Sequence, residues 1–164
     1  MPKPTLVLAV VYLAAATAAN LLAARYGPPI TPWVALVLIG LDLTARDRLH
    51  DFWGDAFRAR MGVLIAAGGV LAYAANGGAG RVAAASCVAF AAAGLVDTAA
   101  YHALRKRSWA ARANGSNIPA ALADSVVFPT LAFGAFLPGV VAAQFVAKVV
   151  GGFLWSGLLA KRRA

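Results

Sequence analysis

From Thr5 to Ala24 the chain runs without a single charged residue, and predominantly apolar runs recur five more times before its end. A helix of about 20 such residues spans about 30 Å, the thickness of a bilayer's hydrocarbon core. Lipid offers the backbone no hydrogen bonds, so a spanning segment must satisfy its amides internally, as a helix does. Glycine and proline clusters separate the runs: Tyr26-Gly27-Pro28-Pro29, Asn76-Gly77-Gly78 and Leu137-Pro138-Gly139. Proline lacks the amide hydrogen and disfavours helix just before it, so these clusters read as turns. The spans fall at about 5–24, 30–44, 57–75, 81–104, 117–136 and 140–160. Composition agrees: 62% of residues are hydrophobic and 13% charged, against about 45–50% and about 25% in soluble domains. The expected architecture is an all-α integral membrane protein of one domain, 1–164, with six transmembrane helices. The first run shows no cleavage site against its alanine-rich background and is expected to be a retained helix.

The formal charge of +9 would suit nucleic acid if the cations were clustered without regard to the spans. Instead they sort by side. Six spans put the N-terminus, the second and fourth connections and the C-terminus together. That side carries Lys3, Arg46, Arg48, Arg58, Arg60, Arg105, Lys106, Arg107, Arg112, Lys161, Arg162 and Arg163; the other carries Arg25 and Arg81. This positive-inside asymmetry places both termini in the cytoplasm and the protein in the cytoplasmic (inner) membrane. It makes the bilayer the partner of the basic residues, and nucleic acid is not expected. Between the second and third spans, residues 45–57 alternate charge with Ala45, Leu49, Phe52, Trp53, Ala56 and Phe57 at helical spacing, an interfacial amphipathic segment. Its plain role is to anchor at the membrane surface; a cytoplasmic gate formed with Arg46 and Trp53 is the functional alternative.

Polar residues inside the spans are costly and usually serve a function or a partner. Asp42, Asp97, Asp124 and Lys148 lie on four different spans. Asn117, Asp124 and Phe128 form one stripe of the fifth, Gln144 and Lys148 one turn of the sixth, and Asn20 is the strong polar side chain of the first. A site built from such groups offers donors, acceptors and aromatic faces, the combination that a flat, polar, purine-like ring requires. Three carboxyl groups against one ammonium suggest that an aspartate keeps its proton, which a transporter can use for coupling. The bland counterpart is an ion pair that only holds the bundle together.

Other chemistries lack their residues. His50 and His102 form no His-x-x-x-His pair, and Ser86, Ser125 and Ser156 have no histidine within the spans to activate them. No phosphate-binding glycine loop occurs. Cys87 stands alone in an apolar run, which excludes an intrachain disulfide or a cysteine zinc centre and reads as a small apolar filler. No catalytic residue, metal ligand or cofactor is expected, and the protein is not read as an enzyme.

Several short motifs, in order, resemble the queuosine-precursor transporters of the vitamin-uptake-transporter family. They are Ala19-Asn20-Leu21-Leu22, Asp42-Leu43-Thr44 with Arg46, Leu95-Val96-Asp97 leading to Tyr101 and Leu104-Arg105, Asn117, Asp124-Ser125 with Phe128, Ala132-Phe133, and Lys148-Val149. The resemblance implies a six-helix importer of 7-cyano-7-deazaguanine or a related deazapurine, with Asp42, Asp97, Asp124 and Lys148 as its binding residues and Asn20 behind them. The chain is shorter than expected for that family, longer between Asp42 and Trp53-Gly54, and minimal at Asn76–Gly80. Two other readings stay open: the substrate-binding subunit of an energy-coupling-factor importer, and a non-transporting membrane scaffold. Homo-oligomerisation is compatible with each.

Overall fold

A computed structural model of the chain describes residues 3–41, 45, 49, 52–106 and 109–160. Asp42 and Arg46 lie outside the described residues. Among these residues every regular element is helical. Six α-helices account for most of them: α1 (Lys3–Tyr26), α2 (Thr31–Val34), α3 (Phe57–Ala75), α4 (Gly80–Ala103), α5 (Trp109–Phe133) and α6 (Pro138–Ala160). Short 3-10 turns at Pro28–Ile30, Gly54–Ala56 and Gly77–Ala79 lead into α2, α3 and α4, and α2 runs on into a π-helical turn, Ala35–Ile39.

Neighbouring helices close a ring in the order α1, α3, α4, α5, α6, α2 and back to α1, with α4 against α5 the most extensive pairing. Small residues make that packing. On α1 the buried stripe is Thr5, Ala9, Tyr12, Ala15, Ala19 and Ala23; on α4 it includes Val82, Ala85, Ala89 and Ala93. Large apolar side chains face outward instead, among them Leu6, Val10, Val63, Val70, Val88, Leu95, Ile118, Val146 and Leu154. Alanine inside and leucine or valine outside is the pattern of helices that pack in lipid, where close backbone approach replaces a hydrophobic drive. By length and apolarity, two of the described helices can cross a membrane, Thr5–Tyr26 and Gly77–Ala100; Pro28–Ile39, Ala59–Ala75 and Pro138–Gly151 are shorter apolar helices.

The fifth helix starts eight residues earlier than the span read from the sequence, at Trp109 instead of Asn117. Ala110-Ala111-Arg112-Ala113 has strong helix propensity, and no proline intervenes before Pro119, so the helix continues beyond the apolar stretch. At its other end Gly134 closes α5 with φ 77°, a left-handed value that suits glycine, and its amide donates to the Thr130 carbonyl at 2.9 Å. Arg81, at the start of α4, donates through Nε to the Leu131 carbonyl at 3.0 Å, satisfying one of the carbonyls the helix end leaves open.

Two apolar clusters flank the middle of the bundle. Ala45, Leu49 and Trp53, spaced by four residues, pack with Ala9 and Tyr12 of α1 and Met61 of α3. The apolar stripe of the 45–57 segment is thus turned toward α1 and α3, while Phe52 stays exposed. At the far end, Ala23, Val82, Ala85 and Ala132 form the second cluster, with Phe128 and Phe133 against it.

Candidate functional site

The residues best placed to recognise a solute meet where α2, α5 and α6 adjoin. Lys148 lies ten residues into α6, about 15 Å along its axis, and Asp124 nine residues before the end of α5, about 14 Å from it. Both therefore sit well away from the helix ends. Lys148 is 4% exposed and its Nζ forms a salt bridge with Asp124 Oδ2. The same ammonium donates to Ser125 Oγ at 3.1 Å and to Gln144 Oε1 at 3.5 Å. Gln144 is buried, and its Nε2 donates to Thr31 Oγ1 at 2.7 Å. Thr31 in turn donates to the Pro28 carbonyl at 2.7 Å. One continuous network so joins the Pro28–Pro29 turn to the charged pair.

Local sequence explains why these groups converge. Gln144 and Lys148 are one helical turn apart and share a face. Asp124 and Ser125 stand between two prolines inside α5, Pro119 and Pro129. Pro129 has no amide hydrogen, so the Ser125 carbonyl one turn earlier receives no i+4 helix bond. Thr130, the next residue, returns its hydroxyl to the Val126 carbonyl at 2.6 Å. On α6, Gly151 brings the helix against the π-helical turn: a Cβ there would stand 2.5 Å from the Leu36 carbonyl oxygen. Only glycine permits that approach, and it holds α6 close to α2.

The other residues singled out from the sequence are distributed around this network. Asn20 is buried on α1. Asp97 is half-buried on α4, and among the described residues it has no ion pair. Asn117 is exposed, two turns from Asp124. Phe128 packs edge-on to Phe133, with ring centroids 6.2 Å apart, in the cluster with Ala23 and Val82. Trp53 is buried beside Phe57, and Arg60 lies 5.7 Å over its ring. Thr31 and Ser125 are network members that sequence reasoning did not place in the site; Ser125 was signalled only by adjoining Asp124. Among the described residues no group of three or more His, Cys, Asp or Glu side chains is disposed to hold a metal.

An apolar groove of about 530 Å³ lies between α2 and α6, lined by Pro32, Trp33, Leu36, Val146 and Val150. It has almost no polar lining, and Lys148 is not among the residues that line it, so it offers a polar solute little to bind. The polar network is the better site.

Among the described residues, apolar helices turn large side chains outward and enclose a charged, multiply bonded network, an arrangement that suits a membrane protein. The chain belongs to the family described as "Putative vitamin uptake transporter", whose model matches residues 6–160. No curated protein and no solved structure matches it.

Proposed function

We propose that the protein imports a deazapurine-type base, a queuosine precursor such as 7-cyano-7-deazaguanine or a close relative, across the cytoplasmic membrane. In this reading the helices form a single six-span domain, with both termini cytoplasmic and the Lys148 network near the bilayer midplane. The observation that carries the proposal is the network itself: a carboxylate, an ammonium, a carboxamide and two hydroxyls from three helices, bonded to one another deep in the bundle. Such a set complements the edge of a flat heterocycle, with acceptors for ring and exocyclic N–H groups and donors for ring nitrogen and carbonyl. The family supports solute uptake, and the resemblance to queuosine-precursor transporters supports the substrate class.

Transport follows by alternating access around this site. With its groups bonded to each other the site is closed; entry of the solute exchanges internal bonds for bonds to the ring, and Lys148 keeps the Asp124 charge balanced throughout. Asp124 and Gln144 are the direct partners of the ring, with Asp42, Asp97, Asn117, Phe128 and Asn20 as further binding residues and Arg46 and Trp53 at a cytoplasmic gate. Thermal stability of the detergent-solubilised protein, measured against deazaguanines, purines and vitamins, tests the substrate class. A shift with 7-cyano-7-deazaguanine that is absent in Asp124→Asn is expected; a shift with a vitamin alone refutes the deazapurine assignment. Uptake by the purified chain alone in liposomes separates a self-sufficient transporter from the binding subunit of an energy-coupling-factor importer.

A further inference from the structure

We infer that the point held by Lys148 Nζ is a built cation site of the protein, occupied by the chain's own ammonium in the place of a free monovalent cation. Three side-chain oxygens from two helices converge there: Asp124 Oδ2, Ser125 Oγ and Gln144 Oε1. Ser125 and Gln144 are essentially inaccessible to solvent, at 0% and 1% exposure. The direction of the network shows that the Gln144 oxygen is aimed independently of the lysine. Thr31 spends its one hydroxyl proton on the Pro28 carbonyl, so toward Gln144 it can only accept. Gln144 must then present its NH2 to Thr31 and its carbonyl oxygen to the opposite side, toward Nζ. The outer hydrogen bonds fix the amide whether or not an ammonium is present, as second-shell partners fix the ligands of a metal.

Charge sets the class of cation. One carboxylate and two neutral oxygens match a single positive charge, and an all-oxygen donor set suits a hard ion such as sodium. In the wild-type chain the tether fills that position permanently. The protein therefore has no use for sodium at this point, and removing the amine without disturbing the oxygens opens a sodium site. The inference concerns the oxygen cage and is independent of which solute the protein carries.

The test compares thermal unfolding of the full-length protein in detergent, in sodium chloride and in N-methyl-D-glucamine chloride at equal ionic strength, with no organic solute. Lys148→Ala is expected to unfold at least about 3 °C higher in sodium, saturably, as a ligand that binds only the folded state requires. The wild type should show no difference, and Asp124→Asn/Lys148→Ala should lose the response. Equal unfolding of Lys148→Ala in the two salts overturns the inference, as does a sodium response that survives in the double variant. Lys148→Ser, which adds a hydroxyl oxygen, repeats the comparison where Lys148→Ala accumulates poorly. Failure to recover either variant in sodium also overturns it, because a cage that accepts a free cation restores the balance the amine supplied. A mere structural ion pair predicts destabilised variants that respond equally to both salts. Since no base is present in the assay, its outcome does not depend on the proposed substrate.

Discussion

The α1–α3 and α5–α6 seams are held together by opposite means. Near the start of α1 and α3, Tyr12, Leu49, Trp53 and Met61 pack in one apolar cluster, and Trp53 Nε1 is buried with no hydrogen-bond partner among the described residues. Between α5 and α6 the contact is polar and directional, with Lys148 bonded to Asp124, Ser125 and Gln144. Apolar packing tolerates small changes in shape and carries no chemical information. A buried charged network tolerates almost none, because each group removed leaves another uncompensated. Apolar packing can therefore serve as the frame, while the network is the part whose bonds a solute can replace.

Breaking the pair provides the strongest test of this contrast. Lys148→Met or Asp124→Asn alone should cost about 3 kcal/mol, the lower end of the range for one partner of a buried pair. The lower end applies because Asp124 is 27% exposed. The double variant should be more stable than the sum of the two losses predicts, since it removes both charges. Additive losses in unfolding titrations would mean that the pair is not coupled. Next in size, Leu49→Ala in the apolar cluster should cost about 2 kcal/mol through the cavity it leaves, with solute affinity unchanged. A loss of binding there would erase the distinction between frame and site. The smallest effect belongs to Trp53→Phe. Its indole N–H has no hydrogen bond to lose among the described residues, so stability should fall by less than about 1 kcal/mol, mostly from the weakened contact with Arg60.

The helical class was legible because apolar runs and their glycine-proline breaks record the demands of lipid directly. Lys148 and Asp124 were legible for a related reason: an ionisable group in an apolar run is expensive enough to announce a partner. Thr31 was not. A threonine in an apolar helix ordinarily returns its hydroxyl to a nearby carbonyl, as Thr98 does to Gly94 and Thr130 to Val126. Thr31 also bonds back to Pro28, and only the tertiary position of Gln144 makes it an acceptor as well. Asp124, Gln144 and Lys148 stand out from the spacing along α5 and α6, whereas the place of Ser125 beside them, the exposure of Asn117 and the packing of Phe128 depend on neighbours that no spacing records. The early start of α5 was hidden by Arg112 and Asn114, which end an apolar run without ending a helix.

The π-helical turn at Ala35–Ile39 acts as a one-residue insertion in the helix that begins at Thr31. An extra residue in one turn rotates everything downstream by about 100° relative to an uninterrupted α-helix. Wheel diagrams drawn from Thr31 at a constant 3.6 residues per turn therefore misplace Gly40 and Leu41. Deleting one residue from this turn would re-aim Gly40 and Leu41 while leaving their own chemistry unaltered, a phase change in place of a chemical one.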